Sequence, residues 1–221
     1  MSSLVLFDID GTLLRGAGNH HKLALLEGVR RVTGLAASFD GIDTAGQLDR
    51  DLIAALLGPS NLDEETRHAI ALECCHCYST NCAINLSPFV CKGAREALDE
   101  LHTKGSVLGL VTGNLGEIGW RKMELAGLRH FFSLGSFSEH GETRAQLAQI
   151  AAARAKELGL VSEDCRVSLI GDHANDIRAA QANGFQAVAV ASGVMSRADL
   201  ASFAPDILLN DLAELDAAKL L

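Results

Sequence analysis

Short apolar runs alternate with longer amphipathic segments over most of this chain. The runs are Leu4 to Phe7, Val107 to Val111, Phe131 to Leu134, Val167 to Ile170, Ala187 to Val190 and Ile207 to Leu209. Most are rich in Val, Ile, Leu or Phe and lack polar alternation, which is typical of parallel strands buried on both faces of a sheet. The pattern therefore predicts an α/β fold built on a parallel sheet.

The segments between these runs have helical periodicity. They predict helices at Lys92 to Thr103, Leu115 to Ala126, Thr143 to Leu158 and Asn175 to Asn183. A glycine follows each predicted end, at positions 105, 127, 159 and 184, as helix C-caps often require. Strands and helices thus alternate, as in repeated β-α-β units.

One segment near the start of the chain breaks this alternation. Between residues 15 and 87 the pattern predicts helices at His20 to Val32, Leu48 to Leu57 and Asp63 to Cys82, and no strand. Turn-forming residues flank the segment at 15–19 and 85–88, which suits a pair of hinges. We therefore expect a helical domain at 15–87, inserted into a core formed by 1–14 and 88–221.

Composition narrows the range of partners. The 221 residues are 48% hydrophobic and include 19 basic and 28 acidic side chains, a net charge of −9. This excess of negative charge argues against nucleic acid and anionic membrane as partners. The sequence lacks a charged leader with an apolar core and any apolar run near 18 residues, so we expect a cytoplasmic protein. The oligomeric state stays open.

Four of the six cysteines lie close together in the third predicted helix of the inserted segment. Cys74 and Cys77 form a CxxC pair beside His76, a spacing that can belong to a zinc site. A second spaced pair of ligands is absent from the sequence. We therefore interpret this cluster, which also contains Cys75, as small apolar side chains in the reduced state.

Acidic and hydroxyl residues follow three of the predicted strands. Asp8 and Asp10 come directly after the first strand, and residues two apart on a strand point to the same side. Thr112-Gly113-Asn114 follows the second strand, and Gly171-Asp172 with Asp176 follows the fourth. Open parallel sheets bind ligands beyond the carboxyl ends of their strands. Carboxylates gathered there suit a hard cation such as Mg²⁺ together with a phosphate group.

In these motifs the chain resembles the haloacid dehalogenase superfamily of hydrolases, in particular its phosphoglycolate-phosphatase-like branch. The resemblance spans nearly the whole chain and implies a Rossmann-like core with a helical cap inserted after the first motif. It implies Asp8 as the nucleophile that forms an aspartyl-phosphate and Asp10 as general acid and base. It also implies that Asp8, Asp10 and Asp172 bind Mg²⁺, Asp10 through its backbone carbonyl.

The resemblance extends to the groups around the phosphate. Thr112 matches a hydroxyl that holds a phosphate oxygen, helped by the N–H groups of Gly113 and Asn114, although Thr112 and Asn114 can instead cap the next helix. Asp176 is implied in orienting metal-bound water or the cationic residue. The family usually places a lysine between the third and fourth strands.

Arg144, at the start of a helix, is the residue of this sequence to which we assign that positive charge. Its permanent charge and forked donors suit a phosphoryl group. Lys156, later in the same helix, is the alternative.

The inserted segment offers further polar residues. Gln47 and Arg50 resemble substrate contacts of related phosphatases, although Leu48 replaces the hydroxyl residue found there. His20 and His21 follow the first hinge, and we expect them to be surface or helix-capping residues rather than acid-base groups.

The favoured function is that of a Mg²⁺-dependent phosphatase for a small phosphorylated metabolite. The resemblance also implies that an acid at position 10 argues against carbon-halogen cleavage, because dehalogenases of this superfamily lack one there. Phosphonate hydrolases of the superfamily need an additional cap lysine for a Schiff base, and Lys22 is the only lysine of the inserted region, which disfavours that activity. A phosphomutase of the same superfamily is one alternative. A non-catalytic signalling module phosphorylated on Asp8 is another. The sequence does not identify the metabolite.

Overall fold

A computed structural model describes residues 3–59, 62–82 and 84–220. Its strands are β1 Leu4–Phe7, β2 Val107–Val111, β3 Leu134–Ser136, β4 Val167–Gly171, β5 Gln186–Val190 and β6 Ile207–Leu209. Its helices are α1 His20–Thr33, α2 Asp49–Leu57, α3 Glu64–Asn81, α4 Ala94–Thr103, α5 Gly116–Leu125, α6 Arg144–Glu157, α7 Ala174–Ala182 and α8 Arg197–Ala201. Within the described ranges, no helix combines the length and apolar character needed to cross a bilayer.

The six strands form one parallel sheet in the order β3-β2-β1-β4-β5-β6, which confirms the predicted α/β class. Successive side chains of β1 point to opposite faces, so each face of this central strand enters a different core. Val5 and Phe7 pack with α4 and α5, and Leu4 and Leu6 pack with α6 and α7. Helices therefore cover both faces of the sheet, and the strand ends are left to carry polar groups.

The segment between β1 and α4 is helical, as predicted. Apolar side chains of α1, α2 and α3 form a third core, which also takes in Leu115 and Ile118 at the start of α5. The chain enters and leaves this helical segment through two adjacent stretches, where the N–H of Arg15 donates to the carbonyl of Phe89 at 2.9 Å. Both connections therefore lie at one place beside the end of β1.

The third strand lies later in the chain than its apolar pattern predicted. Phe131 belongs to a 3₁₀ turn, and the strand runs from Leu134 to Ser136, paired with the end of β2. Phe131 and Phe132 are apolar because they fill the core, where the Phe132 ring meets Phe7 edge to face at 6.2 Å. Burial and strand pairing produce the same apolar signal, so the pattern could not separate them. Helix α8 was not predicted.

The cysteines of α3 pack against α1. Cys74, Cys75, Cys77 and Cys82 are buried and unpaired. Burial raises the pKa of the Cys75 thiol to about 12, which keeps it in the neutral form. Gly28 of α1 lies so close to Cys74 that a side chain there would displace it. The cluster thus fills a tight helix-helix contact with small apolar groups.

Candidate active site

Three aspartates meet at the carboxyl edge of the sheet. Asp8 follows β1, Asp172 follows β4, and Asp176 lies in the first turn of α7. All three are buried, and one carboxylate oxygen of each lies within 4.8 Å of the others. The adjacent pairing of β1 with β4 brings them together, because it aligns the ends of two strands that are far apart in sequence.

Arg144 is buried among these acids. The side chain of Thr143 caps α6 by accepting from the N–H of Gln146 at 3.2 Å, which makes Arg144 the first helical residue. The Arg144 Nη1 donates to Asp8 Oδ1 at 3.1 Å, and its Nε lies 3.3 Å from Asp176 Oδ1. The structure thus brings the predicted cation to the predicted nucleophile, whereas Lys156 pairs with Glu163 at the surface.

The electrostatics of the cluster are unbalanced. Burial, together with the charges of Asp176 and Asp10, raises the pKa of Asp8 to about 7 against the lowering effect of Arg144. Burial and the neighbouring Asp8 raise the pKa of Asp172 to about 7, and burial raises that of Asp176 to about 6. Three carboxylates against one guanidinium leave two negative charges when all are ionised.

The donor set fits a divalent cation. Carboxylate oxygens are the ligands of Mg²⁺, and a divalent cation would neutralise the two excess charges. Asp8, Asp172 and Asp176 are the residues whose side chains would hold it. The carboxylate of Asp10 lies outside this trio, so its proposed metal contact concerns only the backbone carbonyl.

Magnesium is expected to stabilise the fold more at pH 8 than at pH 5. In the metal-free protein the raised pKa values favour protonated acids, so stability falls as the pH rises from about 4 to about 7. Cation binding to the ionised carboxylates would recover this loss. Addition of 10 mM MgCl₂ should raise Tm, measured by thermal unfolding, by at least about 3 °C at pH 8 and by less at pH 5. Equal shifts, or a full shift in Asp172→Asn, would contradict the assignment.

A turn after β1 holds Asp172 in place. The hydroxyl of Thr12 donates to Asp172 Oδ1 at 3.3 Å. Gly11 has a φ of 92°, in the left-handed region, and a side chain at this position would collide with the Asp172 carboxylate. Glycine is needed there both for the backbone conformation and for the close approach of the acid.

The Thr112-Gly113-Asn114 motif faces the same site. Thr112 Oγ1 accepts from Asn114 Nδ2 at 2.8 Å, and both side chains are buried. A side chain on Gly113 would collide with the carbonyl of Gln47, because the segment before α2 is packed against this turn.

The backbone N–H groups that follow this turn already have partners. The N–H of Leu115 donates to the carboxylate of Asp49, and the N–H of Gly116 donates to that of Glu139. A phosphate would therefore bind to the Thr112-Gly113-Asn114 turn rather than to the N-terminus of α5.

Asp10 belongs to a second network of polar side chains, which the sequence analysis did not predict. Its Oδ2 accepts from Lys122 Nζ at 2.6 Å and from Asn114 Nδ2 at 2.8 Å. Lys122 Nζ lies 3.2 Å from Nδ1 of His21, and Nε2 of His21 lies 2.8 Å from Asp49 Oδ2. Loss of hydration raises the pKa of Asp10, but the positive charge of Lys122 and the hydrogen bonds from Lys122 and Asn114 outweigh it and lower the pKa to about 2.

The expectation of a surface or helix-capping position was wrong for His21, because its ring bridges Lys122 and Asp49 and its side chain is only 21% exposed. Lys122 was missed, although one signal was available. The buried face of α5 contains Leu115, Ile118 and Gly119, and Lys122 continues it at helical spacing. A charged residue on the buried face of a helix needs a partner, so it marks a site.

A cavity of about 480 Å³ opens between the acidic cluster and the helical segment. Gln47 and His20 line it, but Arg50 does not: its Nη1 donates to the carbonyl of Gly141 at 3.2 Å. The helical segment also contacts α7, where Asn175 Nδ2 donates to the carbonyl of Gly46 at 3.0 Å. Another cavity, of about 510 Å³, lies near the starts of β4 and β5 and contains none of the clustered acids.

Comparisons with known proteins agree with this architecture. A crystal structure of beta-phosphoglucomutase from Clostridium difficile is 18% identical, with a TM-score of 0.71, covering 98% of this chain and 94% of that one. A predicted phosphatase from Clostridium acetobutylicum is 18% identical, with a TM-score of 0.69 and coverages of 99% and 98%. A predicted phosphoglycolate phosphatase from Haemophilus somnus is 20% identical, with a TM-score of 0.66 and coverages of 96% for both chains.

Likeness at this level of identity establishes a shared fold. No curated protein matches the chain in sequence. A family model described as haloacid dehalogenase-like hydrolase matches residues 3–184, which include the acids that follow β1 and β4 and the cation between them. The chain therefore belongs to the haloacid dehalogenase-like hydrolases.

Proposed function

We propose that the protein is a phosphatase that hydrolyses a small phosphorylated metabolite through an aspartyl-phosphate on Asp8. One observation carries this proposal: the buried Asp8 carboxylate accepts a hydrogen bond from Arg144 at 3.1 Å, and both residues line a cavity together with Asp10. A guanidinium beside the nucleophile supplies the charge that a phosphoryl group needs.

The reaction divides into two steps. In the first, a carboxylate oxygen of Asp8 attacks phosphorus, the bond from phosphorus to the ester oxygen breaks, and Asp10 gives its proton to the departing oxygen. An arriving phosphate ester adds negative charge beside Asp10, which favours its protonated form. In the second step Asp10 takes a proton from water, the water oxygen attacks phosphorus, and the bond to Asp8 breaks.

The remaining groups hold the phosphoryl oxygens. Arg144 and Thr112 line the same cavity as Asp8. The N–H groups of Gly113 and Asn114 are the expected additional donors, and that of Asn114, which donates to Thr112 Oγ1 at 3.4 Å, would have to change partner. Mg²⁺ is the proposed cofactor. The side chains of Asp8, Asp172 and Asp176 and the backbone carbonyl of Asp10 would hold it, and it would neutralise charge on the oxygens around phosphorus.

The helical segment is proposed to act as a cap domain, with residues 15–87 divided from a core of 1–14 and 88–221. Residues of this segment line one side of the cavity, among them His20, Thr44 and Gln47. A volume of about 480 Å³ suits a small molecule, and a cap that excludes bulk water strengthens the electrostatic contacts inside. Residues of the cap domain would then determine substrate specificity.

Chelation provides the test of this function. Hydrolysis of p-nitrophenyl phosphate is expected with 5 mM MgCl₂, to be lost on addition of excess EDTA, and to return with added Mg²⁺. Turnover that survives chelation would contradict the metal-dependent mechanism. A screen of phosphorylated sugars, phosphoglycolate and nucleotides would then identify the substrate class by comparison of kcat/KM.

A phosphomutase is the second candidate, because it shares the attack by Asp8 and because the beta-phosphoglucomutase fold covers nearly the whole chain. It would return the phosphoryl group to a sugar hydroxyl rather than to water. Measuring phosphate and isomerised sugar phosphate in one reaction separates the two. We expect phosphate to exceed isomer, and the reverse would support the mutase.

A further inference from the structure

Asp10 is a partly exposed carboxylate that is held from one side. About 49% of its side chain is exposed, so packing alone does not fix its orientation. Both of its side-chain hydrogen bonds, from Lys122 and from Asn114, reach the same oxygen, Oδ2. The other oxygen, Oδ1, receives no hydrogen bond from the part of the chain that the structure describes. This asymmetry leaves one carboxylate oxygen available for a ligand.

Lys122 is itself held in place from the helical segment. Its side chain is only 4% exposed, and its ammonium group can donate but not accept. The nearby Nδ1 of His21 must therefore accept, which places the ring proton on Nε2, where it donates to Asp49. Asp49 Oδ2 also accepts from the N–H of Leu115, at the start of the helix that carries Lys122. The side chains thus form one continuous series of hydrogen bonds, which runs from Asp49 through His21 and Lys122 to Asp10.

We propose that Lys122 is a positioning residue for Asp10: with Asn114 it fixes Oδ2, so that Oδ1 carries the proton to and from the reacting oxygens, while His21 and Asp49 hold Lys122 in place. This rests on the proposed phosphatase function and deepens it, since it adds a lysine from α5 to the reaction. Because Asp49 and His21 belong to α2 and α1, the position of the acid depends on the docking of the helical segment.

The dependence of rate on the leaving group tests this proposal. A series of substituted phenyl phosphates is hydrolysed by wild type and by Lys122→Met, and kcat/KM is plotted against the pKa of the phenol. A well-placed acid matters most for phenols that leave poorly. Lys122→Met should lower kcat/KM by about 30-fold for the poorest leaving group and by less than about threefold for p-nitrophenol, which steepens the plot.

Asp49→Asn is the second variant, because it weakens the hydrogen bond from His21 at the end of the series away from Asp10 and leaves Lys122 itself intact. We expect the same steepening with a smaller loss of rate. Lys104→Met is the matched control, because it removes a lysine that is paired with Glu100 at the end of α4, and its plot should coincide with that of wild type.

Each outcome has a separate meaning. A uniform loss across all esters in Lys122→Met, with an unchanged slope, would overturn the positioning role and indicate a merely structural lysine. A rate equal to wild type would overturn it as well. If Lys122→Met does not fold, the slope of Asp49→Asn decides in the same way. A wild-type protein that hydrolyses none of the esters would instead refute the phosphatase function on which the inference rests.

Discussion

Asp8→Asn is expected to abolish ester hydrolysis, with kcat reduced by about 10⁴-fold or more. The amide is isosteric with the carboxylate but cannot form the covalent intermediate, and loss of a nucleophile costs on this order in enzymes that use one. The measurement is release of p-nitrophenol under saturating Mg²⁺. Acid-quenched protein exposed to a radiolabelled substrate should carry label in wild type and none in the variant.

A folded variant is essential to that result. Asn removes one negative charge from a crowded cluster in which Asp8 already has a raised pKa, so we expect Tm to stay within about 3 °C of wild type. Asp99→Asn, on the exposed face of α4, is the matched control and should keep full activity. Substantial turnover in Asp8→Asn would mean that another group attacks phosphorus.

Arg144→Ala is expected to damage both activity and stability. Loss of the guanidinium removes the positive charge that stabilises the phosphoryl group, so kcat should fall by about 10²- to 10³-fold. It also leaves Asp8 and Asp176 buried without their cation, which should lower the free energy of unfolding by about 3 kcal/mol or more. The destabilisation should be smaller at pH 5 than at pH 8, because the acids accept protons at the lower pH.

Two further variants make this prediction specific. Arg144→Lys keeps the charge but loses the fork that reaches two acids, so an intermediate loss is expected. Arg154→Ala, an exposed residue of the same helix, should behave as wild type in both assays. Full activity of Arg144→Ala would exclude it as the phosphoryl-binding cation, while leaving the nucleophile unaffected.

The sequence predicted the parallel sheet and the grouping of the acids for one physical reason. Strands buried on both faces are uniformly apolar, so their ends are marked where charged residues begin, as at Asp8 and Asp172. Parallel strands bring such ends to a common edge whatever their separation along the chain. The meeting of Asp8 with Arg144 follows from the same rule, since α6 starts at that edge.

Local sequence patterns could not predict the contacts between elements that are distant in sequence. Nothing in the local pattern distinguishes a strand from two core phenylalanines, so β3 was placed too early, at Phe131 rather than Leu134. The direction of Arg50, away from the cavity and toward Gly141, depends on how α2 docks against the core.

The sequence by itself determined the parallel sheet, the helical character of the segment between β1 and α4, and the acids at the strand ends, because each is encoded in local periodicity or in a short motif. Only the tertiary structure decided that Asp10 pairs with Lys122, and Lys122 in turn with His21, since these residues come from three different elements. The docking of the helical segment against the core sets the distances between these side chains. Hydrogen-bond energy depends on such distances, which no local pattern specifies.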